Sequence, residues 1–372
     1  MPLCPAHTVK GVDTDALTAI RAGVLNAGFI PVDSETQPNT LNVGLINASL
    51  TFSLYLDPFD TSDDKHDPTA ASRRRKLLDL LMSHSHLVFS LQHQTALFQV
   101  LVIGRCFRFL RWDKSGVIYT EATDYVSTQK GTKHLLRMLH LFSQLDPDPT
   151  APPSPTAPPS DPREHASLYD PTFEYIRTGF AQSLEDFLRY VLDIDGRLFL
   201  AGAPVFVASG MIGRGTKCFF ALDWLTQRIV FIKDSWRLCG VGLESEGVVL
   251  ERLNAAGVKF VPTRICHEDC LDQETETSNY SPYTGTKTER SKQGARLRRF
   301  RHHRLAVFEV CLPSPAFKDG RMWTMILYAA LCAHMDAFKL CGVVHRDVSV
   351  GNVLVFPCVA GNHLEWQGRL SD

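Results

Sequence analysis

Short apolar runs broken by turn residues alternate along this chain with stretches of helical period. Ala96–Ile103 and Arg105–Trp112 are rich in β-branched and aromatic residues and predict two strands. Asp113-Lys-Ser-Gly116 is a turn sequence leading into Val117–Thr120, which predicts a hairpin. Before it, Lys76–Met82 holds Leu77, Leu78, Leu80 and Leu81 and reads as helix. After it, Leu135, Leu136, Met138, Leu139 and Phe142 recur at helical spacing. His84, His86, His93, His134 and His140 show no ligand-like pairing and read as structural or solvated.

Further along, Pro204–Ser209, Lys217–Leu222 and Ile229–Lys233 predict three antiparallel strands. Glu244–Ala255 reads as a helix with Val248, Leu250 and Leu253 towards one side. Val261–Ile265 and Leu305–Val310 read as further strands. Arg321–Cys341 predicts a long helix with Trp323, Leu327, Ala330, His334, Phe338 and Cys341 on one stripe.

Composition breaks divide the sequence. Asp57 to Lys76 is polar and ends in Ser-Arg-Arg-Arg-Lys. Eight prolines between Pro147 and Pro162 make an extended spacer that no helix or central strand can accommodate. His267 to Gly294 is almost without apolar residues and reads as a mobile surface insertion. The organisation expected is an N-terminal α+β region over 1–145, a proline-rich linker over 146–165, and an α+β domain of two lobes over 166–372.

Charge and cysteine usage narrow the class. The 372 residues carry a formal net charge of −1, which argues against a globally basic nucleic-acid binder. The 10 cysteines form no CxxC pair, so a reducing compartment is expected rather than a disulfide framework. The start shows no charged region followed by an apolar run. The most apolar stretch, 322–344, carries His334, Asp336 and Lys339, each costly inside a bilayer. An intracellular protein, cytoplasmic or nuclear and without membrane or nucleic-acid partners, is therefore expected.

Chemistry concentrates in Val343-Val-His-Arg-Asp-Val-Ser-Val-Gly-Asn-Val-Leu-Val355. Asp347 and Asn352 stand five apart between apolar runs, the H-R-D-x-x-x-x-N spacing of a phosphotransfer loop. There the Asp accepts the proton of an incoming hydroxyl, and the Asn holds a Mg²⁺ at the transferred phosphate. Upstream, Ile229-Val-Phe-Ile-Lys233 ends a strand, as a phosphate-binding lysine does. Glu246 precedes Leu250 and Leu253 by four and seven residues, a spacing that suits an ion-pair partner for Lys233; Glu244 is out of step with the two leucines. Gly213-Arg-Gly215 lies between two strands and suits a turn whose backbone N–H groups cover phosphates, although Cys218 stands where a third glycine is usual. In Leu305-Ala-Val-Phe-Glu-Val-Cys311, the Glu309 C=O and Cys311 N–H are placed to meet an adenine. Gly368-Arg-Leu-Ser-Asp372 leads into a metal-binding Asp, Asp372.

These segments together resemble the fungal-type protein kinase family. The carriers are IGRGT, IKDSWR, SEGVVLERL and HRDVSVGNVLV, with FRFLRWDKSGVIYTEATDYV upstream. The similarity runs from about Leu87 to Asp372. It implies a bilobal protein kinase fold that binds ATP and Mg²⁺ and phosphorylates a protein hydroxyl, Ser or Thr by resemblance. By motif match it implies ATP contacts at Gly213, Gly215 and Lys233, the ion pair at Glu246, the base at Asp347, and metal ligands at Asn352 and Asp372.

Two departures qualify the match. Ser349 stands where Ser/Thr kinases carry a lysine two residues after the catalytic Asp. The sequence stops at Asp372, before the Phe and Gly of D-F-G, the activation segment and the remaining helices, so an incomplete kinase domain is expected. The helix stripe at 321–341 is expected to need partners from those helices. Two other readings stand beside an active protein kinase: an ATP-binding pseudokinase or scaffold, and a small-molecule kinase suggested by Ser349. The basic runs Ser72–Lys76 and Arg296–Arg304 read as solvated faces rather than nucleic-acid contacts, and Cys266, His267 and Cys270 lack the second pair a metal site needs.

Overall fold

The computed structural model describes residues 48–53, 57–60, 67–91, 93–143, 174–185, 189–240, 242–280, 297–313, 319–360 and 363–371. The proline spacer, residues 281–296 and Asp372 lie outside the described residues. The chain divides into two compact units. One takes the residues up to Pro152 together with Ala208–Gly215 and Gln273–Phe300; the other takes 153–207, 216–272 and 301–372.

In the first unit a sheet of order β1-β2-β3-β4 is built from β1 (Ala48–Ser53), β2 (Leu97–Ile103), β3 (Cys106–Asp113) and β4 (Gly116–Tyr119). The short β5 (Thr123–Asp124) pairs with β3. β1 runs parallel to β2, and the other pairings are antiparallel. The two-residue period of β2 divides its side chains between two cores. Leu97 and Leu101 pack with Leu81, Val88 and Phe89 of α1 (Pro68–Leu91). Val100 and Val102 pack with Leu135, Met138 and Leu139 of α2 (Gln129–Ser143). The sheet is thus covered by a helix on each face. Trp112 Nε1 donates to Gln99 Oε1 at 2.6 Å, and Gln99 Nε2 meets His84 Nδ1 at 2.9 Å, so His84 belongs to the core.

The expected hairpin turn is present but not at the surface. Asp113 and Ser115 are buried. Asp113 Oδ1 accepts from Ser115 N–H, and Oδ2 accepts from the N–H groups of Glu276 and Thr277 at 2.9 and 2.8 Å. These come from the stretch expected to be a mobile insertion. That expectation is corrected for its described part: Arg264–Glu274 is strand β11 and Thr277–Tyr280 a 3₁₀ turn. Polar residues dominate there because they pair with other buried polar groups, as shown below.

The second unit has a sheet of order β11-β12-β10-β9-β7-β6, with β8 beside β9. Its strands are β6 (Tyr190–Ile194), β7 (Arg197–Ala201), β8 (Phe206–Val207), β9 (Lys217–Asp223), β10 (Arg228–Leu238), β11 and β12 (Phe300–Val307). The strand expected at 204–209 shrinks to β8. The hairpin β6–β7 was not expected; its turn is Asp195-Gly196, both at positive φ, a sequence suited to a two-residue hairpin turn. Helix α3 (Glu174–Leu184), also unexpected, packs Phe180 and Leu184 on Leu200 and Leu222.

Helix α4 (Glu246–Ala255) is two residues shorter than expected because Ser245 caps it, its hydroxyl accepting from Val248 N–H at 3.3 Å. Leu250 and Leu253 are buried, whereas Val248 is exposed. Helix α5 (Gly320–Cys341) starts at Asp319, whose carboxylate accepts from Met322 N–H, and stops at Gly342 in the left-handed region with φ 66°. α5 is long and apolar enough to cross a membrane by length and composition. The buried side of α5 matches the expected stripe only in part: Ala330 is buried and Trp323 and Cys341 pack against the core. Met322, Ile326, Ala329, Ala330, Ala333 and Ala337 are buried, while Leu327 and Phe338 are exposed. The small alanines admit the hairpin of β14 (Val353–Ala360) and β15 (His363–Leu370), which joins β13 (Leu312–Pro313) in a second sheet. One core unites Leu250, Leu253, Leu305, Val307, Ile326, Val353, Val355 and Leu370.

Candidate active site

On β10, Val230, Ile232 and Asp234 are buried on one side of the strand, and Phe231 and Lys233 alternate with them. Phe231 packs against the core that contains Leu250 and Leu253 of α4. Lys233, two residues on, therefore faces the same helix. Its Nζ lies 2.7 Å from Glu246 Oε2, and both side chains are less than a fifth exposed. Glu246 occupies the first turn of α4, where the helix dipole favours a carboxylate. Glu244 is engaged elsewhere, with Arg252 at 2.9 Å. For a largely buried pair the cost of desolvation offsets much of the attraction; what it provides is a fixed ammonium.

The residues around Lys233 explain the IKDSWR and RHHR sequences together. Asp234 Oδ1 meets His302 Nε2 at 2.7 Å, and Oδ2 accepts from Arg304 Nε at 3.0 Å. Trp236 stacks on His302, ring centroids 4.9 Å apart. Across the sheet, Asp269 binds the Arg237 guanidinium and, at 3.0 Å, His303 Nδ1. Burial pushes the Asp269 carboxyl up, but the bond to Arg237 and the charges of Arg237 and His303 outweigh it and bring it down to about 2. Burial lowers His303 to about 4 against the pull of Asp269, so its ring is neutral near pH 7. The basic run is thus corrected: His302, His303 and Arg304 are buried in β12 and paired, and among the described residues of the run Arg298 and Arg299 are exposed.

The loop after α5 brings Asp347 and Asn352 together. Asn352 Nδ2 donates to the Asp347 carbonyl at 2.9 Å and to its Oδ2 at 3.1 Å. Asn352 and Val353 N–H both donate to the Ser349 carbonyl, closing a turn between them, and Arg346 sits at φ 65°. His345 Nε2 reaches the Ser371 carbonyl at 3.2 Å, and Ser371 N–H donates back to the Asn352 carbonyl. The residue before Asp372 is thereby tied to the loop; Asp372 itself lies outside the described residues. Asp347 is exposed, so its carboxylate is open to an incoming hydroxyl.

The segment after β12 is fixed from several sides. The Glu309 carboxylate is buried, accepting from Thr263 N–H at 2.7 Å and Thr263 Oγ1 at 2.9 Å. Tyr175 on α3 donates its hydroxyl to the Val310 carbonyl at 2.5 Å. Burial drives the Cys311 thiol well above its ordinary range, so it is a thiol and not a thiolate. Gly213 and Gly215 lie in the segment between β8 and β9 that belongs to the first unit. Both are at positive φ, 111° and 49°.

Residues 169–368 match the model of a family described as fungal protein kinase. That is more than half of the chain, and the matched stretch holds Gly213, Lys233, Glu246, Asp347 and Asn352. The chain belongs to the fungal protein kinase family. Comparison with curated proteins gives no match, and comparison with solved structures gives none either.

As a fungal protein kinase the chain is a kinase-type phosphotransferase. Among the described residues, no group of three His, Cys, Asp or Glu side chains is placed to hold a metal. The donors present suit Mg²⁺, which takes one or two protein oxygens and fills its shell with water and phosphate. With Nδ2 committed to Asp347, Asn352 has its amide oxygen left for such an ion. Tyr175, Thr263 and Ser371 were not read from the sequence. Tyr175 and Thr263 act through hydrogen bonds to residues distant in sequence, which leave no spacing signal.

Proposed function

We propose that this chain is an ATP- and Mg²⁺-dependent protein kinase that phosphorylates Ser or Thr hydroxyls of an intracellular protein. The observation that carries the reading is the presence in one unit of both the Lys233–Glu246 pair and the Asp347–Asn352 loop. The sheet order supports it: apart from β6 and β8, the strands lie in the order β7-β9-β10-β12-β11, with Lys233 on the middle one of these five and Glu246 on the helix that follows.

In this reading Glu246 holds the Lys233 ammonium where it neutralises the α/β-phosphates. The backbone of Glu309 and Cys311 receives the adenine. Asp347 accepts the proton of the acceptor hydroxyl, and Asn352 keeps that carboxylate oriented. Bound Mg²⁺ would supply charge stabilisation at the transferred phosphoryl, held by Asn352 and Asp372. Positioning and electrostatics are what this reaction asks of a protein.

The test is Mg²⁺-dependent labelling of protein substrate by the purified chain, with Lys233→Met and Asp347→Asn beside it. Each substitution is expected to reduce labelling by at least about 10²-fold; undiminished labelling in both sinks the reading. Ser349, exposed in the loop where a lysine is usual, favours a second reading, a small hydroxyl compound as acceptor. Protein labelling without turnover of small alcohols removes it.

A further inference from the structure

Helix α2 carries positive charge on its outer side with nothing on the helix to balance it. Its sequence contains Lys130, Lys133 and Arg137 and no Asp or Glu. Intervals of three and four put these cations in one row along the helix. The row is exposed, on the side away from Leu135, Met138 and Leu139, which pack on the sheet. Among the described residues no carboxylate pairs with any of the three. The basic run of α1 differs, because Asp79 stands three residues beyond Lys76 and four beyond Arg75.

Two leucines border the row. At about 100° per residue, Leu136 and Leu141 fall on opposite flanks of it. They are 61% and 44% exposed. Leu136 belongs to the apolar repeat that marks this helix in the sequence, yet it faces solvent rather than the core.

The helix is held firmly to its own sheet. Gly131 lies so close to β5 that a β-carbon on it would run into the Asp124 carbonyl oxygen. Thr132 donates its hydroxyl to the Tyr125 carbonyl at 2.6 Å. The row is thus presented on a fixed support, which spares a ligand the cost of ordering it.

This pattern selects among anionic partners. A lipid surface takes up the apolar side of a helix, and in α2 that side is spent on the sheet. Nucleic-acid surfaces offer aromatic side chains on which bases stack, whereas this row is bordered by leucines. A protein segment supplies both complements, carboxylates for the row and apolar side chains for its borders.

We propose that the outer face of α2 is a docking surface for an acidic amphipathic segment of a partner protein. The partner's carboxylates meet Lys130, Lys133 and Arg137, and its apolar residues cover Leu136 and Leu141. The surface lies within one unit and needs no nucleotide, so its test stands apart from the proposed function.

The experiment uses the full chain and follows, by fluorescence anisotropy, a labelled peptide of Glu, Leu and Ala with its glutamates at helical spacing. The same peptide with Gln for Glu is the control. The Glu peptide is expected to bind at least about tenfold more tightly than the control, and to weaken as salt rises. Lys133→Glu with Arg137→Glu is expected to weaken its binding by about tenfold or more. Leu136→Ser with Leu141→Ser is expected to weaken it several-fold at every salt concentration. No binding of the Glu peptide, equal binding of the control, or undiminished binding by the charge-reversed variant overturns the proposal. Should that variant fail to fold, Lys133→Gln with Arg137→Gln takes its place under the same criterion. Tighter binding to phosphatidylserine vesicles or to an RNA oligonucleotide also overturns the proposal, and gives the row to a membrane or to nucleic acid.

Discussion

Gly247 packs so closely on His267 that a β-carbon on it would lie 2.1 Å from the imidazole Cγ. α4 is pressed onto β11 at the residue next to Glu246, and the pair with Lys233 depends on that approach. Because the atoms in the way are Cβ and Cγ, close to the backbone, the imidazole cannot swing clear. Gly247→Ala is expected to lower stability by roughly 1–2 kcal/mol, the overlap outweighing the better helix propensity of alanine. Moving Glu246 by about 1 Å is expected to lower kcat by on the order of 10²-fold. Thermal unfolding and kcat measured side by side check both. Recovery of activity in Gly247→Ala with His267→Ala shows that the overlap is the cause.

Asn352 holds Asp347 through its Nδ2 and has its oxygen left over. Asn352→Ala removes both functions, and Asn352→Asp keeps an oxygen but turns the donor into a like charge. Both are expected to lower kcat by about 10²-fold or more. The Mg²⁺ concentration for half-maximal rate is expected to rise in the alanine variant and to change less in Asn352→Asp. Equal Mg²⁺ requirements in all three forms count against Asn352 as a cation ligand.

Stability is expected to fall with acid in two steps set by one cluster. His303 is lowered in the fold to about 4 from an ordinary value near 6.5. The unfolded chain therefore takes up its proton first, and stability present above about 6.5 is lost as pH falls towards 4. Asp269 is held at about 2 against an ordinary 3.8, so its contribution disappears only as pH falls from 3.8 through 2. Urea midpoints between pH 7 and 4 are expected to decline in the parent and to decline less in His303→Gln. Parallel curves place the sensitivity elsewhere.

Gly368 on β15 lies against the backbone of α5, where a β-carbon would come 2.4 Å from the Ile326 carbonyl oxygen. A backbone carbonyl cannot move aside as a flexible side chain can. Gly368→Ala is expected to cost about 1–3 kcal/mol of stability. Because β15 runs on to Ser371, whose carbonyl meets His345, activity is expected to fall with it. A thermal midpoint equal to the parent's refutes the steric argument.

The site was legible in the sequence where chemistry imposes spacing. Asp347 and Asn352, and Glu246 with Leu250 and Leu253, are separated by intervals that a loop turn and a helix turn fix. The sheet was less legible where polar residues are buried. Asp269 in β11 and Arg301–Arg304 in β12 looked like surface because their neutralising partners are distant in sequence. The hairpin β6–β7 was legible and missed: Asp195-Gly196 is itself a turn signal, flanked by Leu192, Ile194, Leu198 and Leu200. Helix α3 also carried its signal, with Ile176, Phe180 and Leu184 at intervals of four. The offset on α5 is a different case, because alanines score weakly as core residues yet are what a close-packed strand needs.

The strand β12 sorts its polar side chains by face: His302 and Arg304 reach Asp234, while Arg301 and His303 reach Asp269. Sliding this strand one step would send each of these side chains to the wrong side and leave the buried Arg304 guanidinium without its carboxylate, which is far costlier than a misplaced leucine. The two carboxylates therefore act as a key that admits β12 in a single phase. Downstream, that phase determines which residue meets Thr263 and Tyr175. The alignment of the whole stretch through Cys311 is thus decided by charge ten residues earlier, before any nucleotide is present.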